Sequence, residues 1–66
     1  MFDRVIVRIM NLPNHVITSY WSGKKWVIDK REAKRFYSER GLKRSFYRHE
    51  RINASLNTHF VVEDYT

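Results

Sequence analysis

Cysteine is absent from this 66-residue chain. Disulfide stapling and thiolate metal sites are therefore excluded, and the composition fits a reducing, intracellular setting. Proline occurs once, at Pro13, and glycine twice, at Gly23 and Gly41. Two isolated glycines cannot build the Gly-rich loop that cradles phosphates. No apolar run approaches the roughly 20 residues of a membrane span. Asp3, Arg4 and Arg8 interrupt the first ten residues, where a signal peptide needs an apolar stretch. Asn53-Ala54-Ser55 matches a glycosylation acceptor, a match without meaning in the absence of secretion. These absences predict a cytoplasmic protein with no membrane association.

What is present suffices for one small basic domain spanning residues 1–66. A chain of this length buries only roughly 60% of its unfolded surface, so its stability margin is expected to be narrow. Ten aromatic residues, Trp21, Trp26, Phe36 and Phe46 among them, supply the large apolar bodies that such a core needs. The formal charge is +6, and it is local. Eleven of the thirteen Lys and Arg residues lie between Lys24 and Arg51 against four acids, whereas residues 52–66 carry −2. Charge concentrated in this way bears on partners and solubility rather than on fold.

Residues 2–10 alternate, with Val5, Val7 and Ile9 on one side and Arg4, Ile6, Arg8 and Met10 on the other. The pattern predicts a strand whose core face is Val5, Val7 and Ile9, with Arg4 and Arg8 toward solvent. Asn11 to His15 read as a loop around Pro13. Residues 16–28 read as a hairpin turning on Gly23-Lys24, since the first position of a type II′ turn needs the positive φ that glycine tolerates. That register sets Trp21 opposite Trp26, Tyr20 opposite Val27 and Ser19 opposite Ile28, so both tryptophans share a face with Ile17 and Ile28.

Asp29-Lys30-Arg31-Glu32 is a capping-box pattern, with Glu32 reaching back. It predicts a short helix from Lys30 that presents Ala33, Phe36 and Tyr37 to the hairpin. Gly41 then admits two readings. It ends one helix over 30–40, or it lies inside the first turn of a second helix capped by Ser38, at a cost of about 1 kcal/mol. The second reading is favoured because it sets Leu42, Phe46 and His49 on one side of a helix over 39–53 and gathers the arginines on the other. Asn53 to Asn57 read as a helix exit and turn, and His59 to Tyr65 as a closing strand. The sum is an α+β fold: a small antiparallel sheet of N-terminal strand, Trp hairpin and C-terminal strand, with one or two helices packed on one face.

Chemistry is sparse. His49-Glu50-Arg51-Ile52-Asn53 begins like the zinc-protease helix motif, but Asn53 stands where the second imidazole must be. His49 is better explained as a helix residue near the core edge. A hydrolytic site needs clustered carboxylates or a nucleophile with its base. Capping accounts for Asp29 and Glu32, and Asp3, Glu63 and Asp64 converge only if the terminal strands pair. The expectation is a protein that is not an enzyme and takes no metal and no cofactor.

The basic segment is the strongest candidate for function. On a helix over 39–53, Arg40, Arg44, Arg48 and Arg51 fall at i, i+4, i+8 and i+11, in one stripe. Like charges stacked this way repel one another, and an anionic partner relieves the repulsion. Arginine suits bidentate phosphate contacts. Lys30 and Lys34 repeat at i,i+4, as do Arg31 and Arg35, and Lys24 and Lys25 at the hairpin tip add point charges. Tyr37 and Tyr47 beside the stripe are placed to stack on bases or pack on sugars. The expected partner is nucleic acid, DNA or RNA, or a nucleoprotein, contacted through Arg40, Arg44, Arg48, Arg51, Lys30, Lys34, Lys24, Lys25 and Tyr47. Basic faces are also common on small proteins, and arginines can lie over aromatics without any ligand. The rival partner is an acidic protein surface, where Arg and Tyr are favoured too. A homodimer through an edge strand, 2–10 or 59–65, is compatible with either. The Trp21/Trp26 pair reads as core against the helices, with an exposed aromatic platform as its alternative.

Tyr20-Trp21-Ser22-Gly23, Trp26-Val27-Ile28-Asp29, Ala33, Phe36, Ser38 and Gly41-Leu42 together form an aromatic–Gly turn, a strand end, an Ala–x–x–Phe step and a capped helix. In these positions the chain resembles very small phage- and prophage-encoded accessory proteins. The likeness is confined to residues 20–42 and to turn, cap and core positions, so it implies no functional site. It implies a context: a regulator or inhibitor in the host cytoplasm that binds a host or defence protein, or a nucleic acid.

Overall fold

β-Branched residues fill the middle of the first strand, and the rest of the chain is arranged around them. The computed structural model describes residues 1–53 and 56–66. In it β1 (Arg4–Leu12) pairs antiparallel with β2 (His15–Trp21) on one side and with β4 (Thr58–Asp64) on the other. A two-residue strand, β3 (Trp26–Val27), extends β2, giving the order β3-β2-β1-β4. Being central, β1 is covered on both faces, not on the one that its alternation predicted. Val5, Ile6 and Val7 are all buried. Val5 and Val7 pack with Ala33, Ile9, Tyr20 and Tyr65. Ile6 packs on the other side with Phe36 and Leu42, flanked by Trp21, Trp26 and Phe46. Arg8 shares the face of Ile6 and is half-buried, although the alternation of β1 predicts it in solvent.

The loop after β1 is shorter than expected: Asn11 and Leu12 pair with Val16 and His15, leaving Pro13 and Asn14 to turn. The Trp hairpin has the expected register, Tyr20 with Val27 and Trp21 with Trp26. Gly23 adopts a φ of 100°, the region that favours glycine. Ser22 Oγ closes the turn by accepting from the backbone N–H groups of Lys24 and Lys25 at 3.2 and 3.0 Å. Ile28 departs from its expected place. β3 ends at Val27, and Ile28 is 72% exposed instead of packing beside the tryptophans.

The short helix expected from Lys30 is a single 3-10 turn, Lys30–Glu32. Asp29 caps it by accepting from Arg31 N–H at 2.9 Å, while Glu32 makes no return side-chain bond among the described residues. Ala33 is already extended, at φ −69° and ψ 146°. The sheet takes over here. Lys34 N–H donates to Trp21 O at 2.7 Å, and Arg4 and Phe36 exchange two backbone bonds of 3.0 and 2.8 Å. Residues 34–36 thus occupy the place beside β1 that β2 leaves after Trp21. Backbone groups bonded to a central strand outweigh the weak nucleation of a short helix.

Helix α1 (Glu39–Asn53) follows the reading with Gly41 inside its first turn. Ser38 caps it, its Oγ accepting from Gly41 N–H at 3.2 Å and its carbonyl from Leu42 N–H at 3.1 Å. Leu42 and His49 are buried and Phe46 is half-buried, so the apolar side of α1 lies on the Ile6 face of the sheet. The result is a four-stranded antiparallel sheet with one helix, an α+β fold. Ala54 and Ser55, in the expected exit turn and in the glycosylation-like tripeptide, lie outside the described residues. Of the two strands offered as edges, 2–10 is central and only the C-terminal strand is an edge. Among the described residues no helix is long and apolar enough to cross a membrane.

Candidate functional site

The arrangement of carboxylates decides which cations are engaged. Among the described residues, Arg4 pairs with Asp64 at 3.0 Å, Lys30 with Glu63 at 2.6 Å, Arg31 with Asp29 at 2.9 Å and Lys43 with Glu39 at 2.9 Å. Arg35 forms a two-point pair with Asp3. These pairs hold Asp3, Asp29 and Glu39 below the usual carboxylate range, in each case chiefly through the hydrogen bond to the cation. The pairs therefore lie on the sheet ends, the 3-10 turn and the first turn of α1. None reaches the outer face of the helix.

Arg40, Arg44, Arg48 and Arg51 are all exposed, on the side of α1 opposite Leu42 and His49, and none is in an ion pair among the described residues. Arg44, Tyr47, Arg48, Arg51 and Ile52 line a shallow groove along that face. Tyr47 is 60% exposed within it, its ring edge against Phe46 at 6.3 Å. Around the hairpin side of the helix, Lys34 joins Arg44 and Arg48 at a cleft of about 330 Å³ whose floor includes Trp21, Phe36 and His49. Lys34 arrives there from an extended segment, so the i,i+4 pairs Lys30/Lys34 and Arg31/Arg35 do not form. Lys24 and Lys25 are exposed at the hairpin tip. Lys30 is set apart from the rest: its ammonium binds Glu63 and the Asp64 carbonyl, and the Glu63 bond raises its pKa. Tyr37 is exposed in the loop before α1, under the Arg35 guanidinium at 5.6 Å.

Behind the stripe lies an aromatic cluster. The Trp21 and Trp26 rings are 5.2 Å apart, and the His49 imidazole stands edge-on to both, at 4.3 and 5.0 Å. Phe60 from β4 closes it, 5.7 Å from Trp26. The tryptophans thus pack against α1. Burial, and secondarily the neighbouring Arg48 charge, push the His49 pKa down. Arg8 lies with its guanidinium 4.7 Å from the Trp26 ring centre and donates from Nε to Ser19 Oγ at 3.3 Å. Its burial lowers its pKa. The one signal in the sequence for this placement was its spacing: Arg8 sits between Ile6 and Met10 on the same side of the strand.

The terminal strands do pair, yet the carboxylates of Asp3, Glu63 and Asp64 go to three separate cations. Among the described residues no group of three or more metal-ligating side chains converges. No family model, curated protein or solved structure matches this chain.

Proposed function

We propose that this chain is a non-catalytic binding module that uses the outer face of α1 to contact nucleic acid or a nucleoprotein. One observation carries the reading. Five carboxylates are used to pair Arg4, Lys30, Arg31, Arg35 and Lys43, while Arg40, Arg44, Arg48 and Arg51 are left in one exposed row without ion pairs among the described residues. A row of unmatched guanidiniums on one helix is self-repelling, and phosphates neutralise it with two-point hydrogen bonds. Lys34 extends the row to the hairpin side, and Lys24 and Lys25 extend it at the tip. Tyr47 offers a ring to a base or sugar within the row. Lys30 is left out of this set, because Glu63 already holds it.

A second reading rests on Ile52, which is 72% exposed in the same groove as Arg48 and Arg51. An apolar side chain among arginines suits an acidic protein surface, as for a small regulator or inhibitor of a host or defence protein. A cytoplasmic setting, the one expected from the absence of cysteine, is compatible with either partner.

The two readings separate on titration of labelled duplex DNA, single-stranded DNA and RNA at two salt concentrations. The nucleic-acid reading expects micromolar binding at low salt, with log K falling by about 0.9 per phosphate contact for each decade of salt on duplex DNA. Replacing Arg44 and Arg48 together by Ala is expected to weaken binding at least tenfold and to flatten the salt slope by about two contacts. Absence of binding at low salt leaves the acidic-protein reading. Binding that the double substitution leaves intact assigns contact to another surface.

A further inference from the structure

Among the described residues no strand pairs with the outer side of β4. Asn11 N–H donates to Asn57 O and Tyr65 N–H to Asp3 O, which fixes the phase of the β1–β4 ladder. By the alternation of an antiparallel pair, His59, Val61 and Glu63 turn their backbone groups toward β1. Thr58, Phe60, Val62 and Asp64 turn theirs outward, and the Lys30 ammonium on the Asp64 carbonyl agrees with this phase. Edge strands are ordinarily blunted by lysine, proline, a bulge or a covering segment. Thr58–Asp64 contains no lysine and no proline, runs in unbroken register from Met10↔Thr58 to Arg4↔Asp64, and keeps Val61 and Val62 exposed. Beside it runs a groove between β4 and α1, lined by Phe2, Leu42, Phe46, Tyr47 and Val62 together with the charged Arg4, Glu39 and Lys43.

We infer that β4 is the interface for a second copy of this chain, paired antiparallel about a two-fold axis through Val61. The strand is self-complementary in that register. Val61 faces the partner's Val61, Phe60 faces the partner's Val62, and His59 faces the partner's Glu63, twice over by symmetry. Phe60 and Val62 then exchange four backbone hydrogen bonds with the other copy. Charge permits this occupant, since in that register Glu63 meets His59 and Asp64 meets Thr58, and both acids are already paired with Lys30 and Arg4 of their own copy. The symmetry keeps the helices on one side of a continuous eight-stranded sheet. Arg44 and Arg48, which lie toward the hairpin side of α1, face away from the axis. This inference stands independently of what the arginines bind.

The absence of cysteine makes the register directly testable. A residue on the axis meets its own copy at about 4.5 Å between Cα atoms, within disulfide range. Residues one place along meet their own copies only on the diagonal, at about 7–8 Å. Val61→Cys is therefore expected to form a disulfide-linked dimer under mild oxidation, and Val62→Cys is not. Sedimentation equilibrium of the unmodified chain should show a concentration-dependent dimer. Val61→Lys, which restores an ordinary edge-strand defence, should raise its dissociation constant at least tenfold with far-UV circular dichroism unchanged. A chain that remains monomeric to about 1 mM overturns the inference. So does a dimer indifferent to Val61→Lys, or equal cross-linking of the two cysteine variants.

Discussion

His49 is the titratable side chain most deeply placed in the fold, with Trp21, Trp26 and Phe60 around it. The charge that acts on it is the Arg48 cation on its own helix, which adds to the effect of burial. Its folded pKa therefore lies below the value near 6.5 that it regains on unfolding. Between those two values the unfolded chain binds the extra proton, so stability falls as pH drops through that window and is fully present above it. Melting temperature is expected to decline between pH 7 and 5 in the parent chain, and to decline less in His49→Phe. Equal declines would show that another group titrates. Asp3, Asp29 and Glu39, whose pKa values are lowered, contribute stability that is present above their ordinary carboxylate values and is lost as pH falls from there through the lowered folded ones. At this scale the sequence was readable wherever local spacing decided the outcome. His49 follows Leu42 by seven and Phe46 by three, which is enough to place it on the inner side of a helix. Arg8 was not readable, because its burial depends on β1 being central, and that is settled by residues far along the chain.

Helix α1 and the segment before it show what a local signal can and cannot carry. The Ser38 cap, Gly41 and the apolar positions 42, 46 and 49 all lie within one element, so its start and its faces were legible. The capping box at Asp29 was just as visible, yet it yields one turn because Arg4 and Trp21 claim the backbone of residues 34–36. No periodicity reports such a claim. The cap itself contains a conflict that can be measured. Gly41 costs helix propensity, and Ala there is worth up to about 1 kcal/mol. A Cβ at Gly41, however, would stand 3.1 Å from Ser38 Oγ, against the cap that starts the helix. Ser38→Ala alone is expected to cost about 1 kcal/mol. Gly41→Ala should gain little in the parent chain and clearly more in the Ser38→Ala background, read from urea denaturation as a double-mutant cycle. Strict additivity would mean that the methyl group does not disturb the cap.

Across the whole molecule the two ends of the chain are tied to its middle. Tyr65 packs on the Val5, Val7 and Ala33 cluster, receives the Arg35 guanidinium at 4.0 Å from its ring centre and donates its N–H to Asp3 O. Asp3 in turn holds Arg35. Tyr65→Ala is expected to lower stability by about 1–2 kcal/mol, from half-buried apolar area and the lost cation contact. The loss should appear as a lower urea midpoint at unchanged slope, and part of it should vanish in an Arg35→Ala background. An unaltered midpoint would assign the C-terminal residues no part in the core. The stripe itself was legible, since helical spacing alone lines up Arg40, Arg44, Arg48 and Arg51. The removal of Lys30 by Glu63 was not, for it joins positions 33 residues apart. The same long reach governs how the chain comes into being. β1 is finished early in synthesis, but the strand that flanks it opposite β2 pairs Arg4 with Asp64, 60 residues later. While a ribosome still holds the C-terminal stretch, Val5, Ile6 and Val7 have only one neighbouring strand to shelter them. Final assembly must wait until β4 has emerged, and until then the most apolar stretch of β1 is a target for chaperones or for aggregation.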